Sequence, residues 1–382
     1  ILFNVDIGGM GGSVMYLMPL VGSACMVTSA VVLFRNDPKL EDILVSVMPL
    51  VCVLLPAMCM LGLQNVENRL HQILLLRELE FPLKEIKKIL DLRDFPELSH
   101  LLTKNFDDIL NDPEIDAVLI CSSTNTHSPI SLEAIAAGKH VFCEKPLCGT
   151  PAELKKIVAA VRSSKKFFNV GLCVRAWPEY RHAYEYFKSG KAGKMRSATF
   201  KRISPSVDGN AWKNWFMDGA QSGGALLDLH VHDVDEVNYF FGKPKSVTAF
   251  GAADIVSKNG GVDHVVATYD YGDGSLVMAE GGWAAAKGTP FEMSFTIVCE
   301  KATIKLDASG YHIYPVKGKP ITPKVDVKAG PTGWHQELAY FVNCIAKGVQ
   351  PDKYQTIDSV EDSMKMVFAE MKSIKTRKSV AI

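Results

Sequence analysis

Between residues 105 and 147, short apolar runs alternate with stretches of helical periodicity. The predicted elements are a helix at 106–110, a buried strand at 117–121, a helix at 131–137 and a second strand at 140–143. A strand, a helix and a strand in this order predict a parallel crossover. Parallel sheets bind ligands beyond the carboxyl ends of their strands, which places residues 122–127 and 144–146 at a candidate site.

After residue 245 the pattern changes to short segments of alternating polar and apolar residues. The predicted strands cover 246–253, 263–271, 274–283, 291–299, 302–308 and 311–316. Short links such as "GDG" predict hairpins, and therefore a mostly antiparallel sheet with one face open. Residues 333–348 and 356–374 have helical spacing, and the basic ending "KTRKSVAI" is typical of a disordered tail.

The first forty residues begin like a dinucleotide-binding unit. In "FNVDIGGMGGS", residues 3–13, an apolar strand runs into glycines, which allow a tight turn before a helix whose N-terminus holds the pyrophosphate. Gly8 and Gly11 match the GxGxxG pattern, whereas Asp6 occupies its first position. An acidic residue after the second strand would hold the adenosine ribose: Asp37 favours NAD, and Arg35 could neutralise the extra phosphate of NADP.

Two uncharged runs, 14–34 and 43–63, are each about long enough to span a bilayer as a helix. Buried elements of an α/β domain also have continuous apolar sequences. We interpret both runs as such buried elements. Residues 69–92 have the spacing of two amphipathic packing helices. We have no physical account of the whole stretch 41–104, which is anomalous for a first domain.

Length and composition narrow the class of protein. A chain of 382 residues predicts two domains. Lys plus Arg equals Asp plus Glu at 42 each, so no basic field attracts nucleic acid, and a membrane partner is not expected. Nine cysteines without paired spacing indicate reduced thiols in the cytoplasm, and no metal site is expected.

Three segments together resemble the Gfo/Idh/MocA family of NAD(P)-dependent oxidoreductases. They are "DPEIDAVLICSSTNTH", "AGKHVFCEKPL" and "SGGALLDLHVHDVDEVNYFFG", in family order. The resemblance covers roughly residues 105–382. It implies α/β plus α+β architecture: an N-terminal Rossmann-type doubly wound parallel sheet and a C-terminal domain with a large, open, mostly antiparallel sheet. We expect domains at 1–173 and 174–348, with 349–382 a helix and tail packing back on the first.

The resemblance implies three catalytic residues. Lys145 of the EKP motif would stabilise the alkoxide that develops as hydride leaves carbon. Asp228 and His232 stand four apart and would share one face of a helix. His232 would take the hydroxyl proton as general base, and Asp228 would orient it or bind a neighbouring hydroxyl.

The resemblance also implies binding residues. Asn125, His127, Glu144 and Pro146 would contact the NAD or NADP cofactor. Arg175 would face the substrate cleft, and Trp177 would line the pocket, because aromatic faces suit polyols.

The expected reaction is hydride transfer between nicotinamide and a secondary alcohol or ketone of a sugar, sugar derivative or cyclitol. An alternative is a non-catalytic or membrane-tethered sugar-binding or regulatory protein derived from this fold, which the apolar runs and Asp6 motivate. In the family the open sheet pairs subunits, so a homodimer or homotetramer is implied.

Overall fold

The computed structural model describes residues 2–6, 13–17, 106–113, 115–206, 215–327 and 332–382. The chain divides into two compact units, residues 1–109 and 110–382. The predictions for Gly8, Gly11, Arg35 and Asp37 lie outside the described residues, as do those for 41–104 and for the apolar runs beyond residue 17. The domain boundaries expected at residues 173 and 348 stay predictions.

The first unit contains a two-stranded antiparallel sheet. Strand β1 (Leu2–Asp6) pairs with β2 (Ser13–Leu17), and Val5 lies opposite Val14. The predicted opening strand is confirmed. The prediction that a helix follows the glycines was wrong for residues 13–17, where the β-branched and aromatic residues Val14 and Tyr16 favour an extended chain.

The second unit opens with a parallel sheet of order β3-β4-β5. Its elements, with the short helix that precedes them, are α1 (Phe106–Asn111), β3 (Ala117–Ile120), α2 (Thr124–Ala136), β4 (His140–Glu144), α3 (Pro151–Ser163) and β5 (Phe168–Gly171). Helix α3 begins where Thr150 accepts a hydrogen bond from the N–H of Glu153, with Pro151 at its first position. Its buried residues, Leu154, Ile157 and Val158, follow helical spacing.

An eight-stranded sheet of order β12-β11-β10-β6-β9-β8-β7-β13 follows. Its strands are β6 (Met195–Pro205), β7 (Ser246–Ala253), β8 (Val262–Asp270), β9 (Leu276–Ala285), β10 (Glu292–Cys299), β11 (Ala302–Asp307), β12 (Gly310–Pro315) and β13 (Val380–Ala381). All neighbours are antiparallel except β6 and β9. The expected fold class is therefore confirmed.

Helical elements lie between β5 and β7 in the sequence. They are a 3₁₀ turn (Cys173–Ala176), α4 (Pro178–Lys188), α5 (Gly219–Ser222), a π-helical turn (Leu226–His230) and α6 (Val231–Phe241). The π-helical turn and α6 contact strands β6, β8 and β9. Every second residue of β6 from Ala198 to Ser204 is buried. The ring of Phe240 on α6 packs against Phe200 at 5.7 Å and Phe295 at 6.3 Å between centroids, which anchors the helix on the sheet.

Two further helices, α7 (Gly333–Lys347) and α8 (Ile357–Thr376), close the chain. Helix α8 contacts α3, α6 and β7. The prediction of a disordered tail was wrong: Val380 pairs with Val247 of β7, and the hydroxyl of Ser373 donates to the carbonyl of Lys378 at 2.6 Å. Among the described residues, no helix combines the length and the apolar character needed to cross a membrane.

Candidate active site

Lys145 lies directly after β4, beyond the carboxyl end of the parallel sheet. Its Nζ donates to the carbonyl oxygen of Asp228 at 2.6 Å and to Oδ1 of the same residue at 2.8 Å. The side chains of Lys145 and Asp228 are 19% and 17% exposed, and the peptide bond to Pro146 is cis. Two residues 83 positions apart, both predicted from sequence, therefore share one site.

The backbone before Asp228 explains how it reaches this position. Gly224 has a φ of +73°, and a Cβ there would lie 2.5 Å from the backbone nitrogen of Val262, so only glycine fits. The next turn, Leu226–His230, is π-helical and passes directly into α6. Turns of this kind often occur at functional sites. Asp228 therefore faces Lys145 from the wide turn, while His232 lies in the first turn of α6.

His232 is almost fully buried, with 8% of its surface exposed. Burial lowers its pKa well below the usual range, and the positive charges of Arg202 and Lys145 lower it further. Its Nδ1 is buried without a hydrogen-bond partner among the described residues. The ring is therefore a neutral imidazole, the form that can accept a proton.

Arg202 was not predicted from the sequence. It comes from β6 and forms a buried pair with Asp233, Nε to Oδ2 at 2.9 Å, with exposures of 4% and 0%. Ala198, Phe200 and Arg202 alternate with more exposed residues along β6. This alternation is the sequence signal that could have placed Arg202 on the buried face of the strand, towards α6.

The prediction that Arg175 faces the substrate cleft was wrong. The guanidinium is 1% exposed and forms two hydrogen bonds with the carboxylate of Asp235, at 2.6 and 2.7 Å. It also donates to the carbonyl of Tyr354, in the segment before α8, and to the hydroxyl of Ser359, in the first turn of α8. These two hydrogen bonds hold both segments against the 3₁₀ turn that carries Arg175. Its donors are used inside the protein, so Arg175 holds elements together.

Glu144 ends β4, and its carboxylate lies against Gly171 of β5, the residue opposite in the sheet. A Cβ at position 171 would lie 2.9 Å from the Glu144 carboxylate, so a larger residue there would displace this carboxylate. Burial raises the pKa of Glu144 and the negative charge of Asp228 adds to it, while the charge of Lys145 lowers it. The backbone N–H of Lys145 donates to Glu144 Oε2 at 3.2 Å. Glu144 therefore accepts a hydrogen bond from the backbone of Lys145. Its contact with the cofactor stays a prediction.

The two predicted residues of α2 lie in different surroundings. Asn125 is exposed at the first turn. His127 is 1% exposed, and its ring nitrogens face the carbonyl oxygens of Pro146 at 2.7 Å and Ser122 at 3.0 Å. With both nitrogens occupied inside the protein, His127 has no free polar atom for the cofactor, which corrects its predicted contact role.

Trp177 follows the 3₁₀ turn and is half-buried. Its ring meets the ring of Trp334 edge to face, with centroids 5.2 Å apart. A Cβ on Gly333 would lie 2.0 Å from the carbonyl oxygen of Cys173, so the start of α7 packs closely on the same turn. Trp334 was not predicted, and a substrate role for Trp177 stays a prediction.

The described residues can hold part of a dinucleotide. Ser123, the residue before α2, makes no side-chain cap. The N–H of Thr126 donates to the carbonyl of Ser123 at 2.8 Å, so an acceptor at this helix end would face the N–H groups of Thr124 and Asn125. Ser122 and Asn125 are exposed beside them at the carboxyl end of β3. Within the ranges that the structure describes, no group of three or more His, Cys, Asp or Glu could hold a metal ion.

The chain thus combines a parallel sheet, with Lys145 beyond its carboxyl end, and a mostly antiparallel sheet with helices packed on it. One family model, "Oxidoreductase family, NAD-binding Rossmann fold", matches residues 84–172. A second, "GFO/IDH/MocA C-terminal domain", matches residues 180–305, and together they cover more than half of the chain. This chain belongs to the Gfo/Idh/MocA oxidoreductase family, whose N-terminal domain binds NAD.

Individual proteins agree with this assignment. The chain is 30% identical to myo-inositol 2-dehydrogenase of Thermotoga maritima over 188 residues, 47% of this chain and 54% of that protein. It is 32% identical to levoglucosan dehydrogenase of Pseudarthrobacter phenanthrenivorans over 149 residues, 38% of each chain. The chain thus spans about half the length of such curated relatives, or less.

Solved structures show the same fold. A levoglucosan dehydrogenase in complex with NADH and levoglucosan superposes with a TM-score of 0.65, at 21% identity, over 73% of this chain and 83% of the other. An aldose-aldose oxidoreductase from Caulobacter crescentus, complexed with glycerol, gives a TM-score of 0.63 at 20% identity, over 72% of this chain and 82% of the other.

Proposed function

We propose that this protein transfers a hydride between NAD(P) and a secondary alcohol or ketone of a sugar, sugar derivative or cyclitol. The observation that carries the proposal is the ammonium of Lys145, held 2.8 Å from the carboxylate of Asp228, with the neutral, buried His232 one turn further along the helix. The relatives act on compounds of this class by their names, inositol and levoglucosan.

The bound nicotinamide would supply the hydride acceptor or donor. Residues 122–125 and 144–146 would hold that end of the dinucleotide, because they line the carboxyl ends of β3 and β4. Asn125 and Glu144 are the polar side chains we assign to it. The roles of Gly8, Gly11, Asp37 and Arg35 towards the adenosine and pyrophosphate stay predictions, and the choice between NAD and NADP depends on the last two.

Lys145 would stabilise negative charge on the substrate oxygen. An ammonium held by two oxygens of Asp228 is already oriented, so little reorganisation is needed when the oxyanion forms. Asp228 therefore acts on Lys145, rather than on the ring of His232 as the sequence first suggests.

His232 would accept the hydroxyl proton on oxidation and return it on reduction. Its neutral form persists at physiological pH because burial and the charges of Arg202 and Lys145 lower its pKa. The same surroundings disfavour the imidazolium, so the accepted proton must pass on to solvent before the next turnover.

The substrate we propose is a polyol. Trp177 offers a half-buried aromatic ring near the 3₁₀ turn, and such rings suit the apolar faces of sugars. The outward face of the eight-stranded sheet is proposed as the contact of a homodimer or homotetramer. The six cysteines of the described ranges are free thiols, which supports a cytoplasmic location.

Titration of the protein with NADH and then NADPH, followed by nicotinamide fluorescence, tests the proposal. Saturable binding is expected, with a preference that decides between Asp37 and Arg35. Turnover is then assayed with myo-inositol, levoglucosan and glucose. A folded protein that binds neither dinucleotide would overturn the proposed function.

A further inference from the structure

His127 connects the two strand ends on which the site is built. It lies in the first turn of α2, after β3, and faces the carbonyl oxygen of Pro146, after β4. The residue before Pro146 is Lys145. Proline has no backbone N–H, so the Lys145–Pro146 peptide cannot be tethered through a donor of its own. After the carbonyl of Lys145 itself, the carbonyl of Pro146 is the next backbone acceptor along the chain, and it is the one that His127 faces.

Both ring nitrogens of His127 face acceptors, which limits how the ring is protonated. Nδ1 lies 2.7 Å from the carbonyl of Pro146, and Nε2 lies 3.0 Å from the carbonyl of Ser122. Burial lowers the pKa of His127 although both carbonyls raise it; the charge of Lys145 lowers it and that of Asp228 raises it. A neutral imidazole donates only once, and the shorter distance favours Nδ1–H.

We propose that His127 is a positioning residue: its Nδ1–H donates to the carbonyl oxygen of Pro146 and so fixes the backbone that carries Lys145. The role rests on the proposed function, because it matters only where the direction of the lysine matters. Lys145 Nζ must lie within hydrogen-bond distance of both Asp228 and the reacting oxygen. A backbone shift at Pro146 would misdirect it, and a displacement of about 1 Å in a catalytic group can cost about a hundredfold in rate.

Two variants of similar size separate this hydrogen bond from simple packing. The amide nitrogen of His127→Asn lies at the bond distance of Nδ1 from Cβ and can still donate to Pro146. The longer His127→Gln places its amide nearer the position of Nε2 and Ser122. Both remove the ring and both are neutral, so they differ mainly in which carbonyl they can reach.

The measurement is kcat, KM and dinucleotide affinity for both variants and the unsubstituted protein, with thermal melts of each. His127→Asn should keep most of kcat, and His127→Gln should lose about tenfold to a hundredfold. Dinucleotide affinity should be unchanged in both. Equal losses of kcat in the two variants, in step with equal losses of Tm, would overturn the positioning role.

A second readout does not depend on turnover. NMR of the imidazole nitrogens in the unsubstituted protein should identify the neutral Nδ1–H form of His127, with a His127→Asn sample to assign the signal. The Nε2–H form would overturn the proposal, because the ring would then donate to Ser122. If the unsubstituted protein has this tautomer but no nicotinamide-dependent turnover, the proposed function fails and the hydrogen bond stands.

Discussion

Three carboxylates between Leu226 and Phe241 pair with cations from other elements, and their surroundings differ sharply. At the π-helical turn, Asp228 holds Lys145, and both side chains keep almost a fifth of their surface exposed. Within α6, Asp233 and Asp235 hold arginines, and all four of these side chains are 4% exposed or less. The same kind of ion pair is thus open to a ligand at one end of the segment and enclosed at the other.

The difference teaches how to separate a catalytic charge from a structural one. Charges taken out of water must be fully paired, because removing one partner leaves the other uncompensated. Arg175 meets this demand by donating to Asp235 on α6, to the carbonyl of Tyr354, and to the hydroxyls of Ser359 and Ser363 on α8. Lys145 reaches only Asp228 among the residues described, and its remaining donor capacity is available to a substrate oxygen.

The largest predicted effect comes from breaking an enclosed pair. Arg175→Met leaves Asp235 buried without its cation, so we expect a loss of about 3–5 kcal/mol in the free energy of unfolding. Denaturant unfolding measures it, and kcat of the remaining folded enzyme should stay near that of the unsubstituted protein. A stable protein with abolished turnover would instead return Arg175 to the substrate cleft.

Changing the open pair should affect rate rather than stability. Asp228→Asn keeps the backbone carbonyl contact to Lys145 and places an amide oxygen where Oδ1 was, but it removes the negative charge, so the ammonium is held less firmly. We expect kcat to fall about a hundredfold, with Tm nearly unchanged. Asp352→Asn, an exposed aspartate on the loop before α8, is the matched control. Unchanged kcat would show that Asp228 does not direct Lys145.

The third effect is a pH dependence from Glu236, which shares α6 with the enclosed pairs. Both of its carboxylate oxygens are buried without partners among the described residues, and burial raises its pKa well above the usual range. The folded protein thus keeps a proton that the unfolded chain releases near pH ~4.3. Stability should therefore fall as pH rises from that value towards the folded pKa.

Glu236→Gln should flatten this slope by up to about 1.4 kcal/mol per pH unit, because the amide does not ionise. Denaturant midpoints across pH 5 to 8, roughly the range of ordinary maximal stability, provide the measurement. The exposed Glu133→Gln is the control. Identical slopes in both variants would mean that Glu236 is ionised in the folded protein.

The smallest effect belongs to a pair on the surface. Arg162 on α3 contacts Asp358 and Glu361 on α8 at 2.6 and 2.7 Å, with Asp358 73% exposed. Such pairs are screened by salt and contribute little. Arg162→Ala should leave Tm within the scatter of repeated melts, at low and high salt alike. A large loss at low salt would mean that this network fixes α8.

The comparison also explains what the sequence could predict. Lys145, Asp228 and His232 were predicted because the segments that carry them resemble the Gfo/Idh/MocA family, and the structure joins Lys145 to Asp228. The parallel crossover and the strands after residue 245 followed from periodicity alone. These features depend on local pattern, which a sequence carries directly.

The features that the sequence did not predict depend on contacts between residues far apart in the chain. Strand β6 escaped prediction because two of its inward positions, Arg202 and Ser204, are polar, which weakens the apolar alternation that Ala198 and Phe200 begin. Arg175 was assigned to the cleft because its pairing with Asp235, 60 residues away, cannot be read from spacing. The tail seemed too basic to order, yet it completes the sheet edge beside β7.

In the proposed reaction the Lys145 ammonium acts on the reacting oxygen. The single-turnover rate of nicotinamide oxidation or reduction in Lys145→Met, at saturating dinucleotide and substrate, measures this role. We expect the rate to fall about a hundredfold to a thousandfold with dinucleotide affinity and Tm retained, while Lys155→Met, an exposed control, is unaffected. A hydride-transfer rate in Lys145→Met equal to that of the unsubstituted protein would contradict this role.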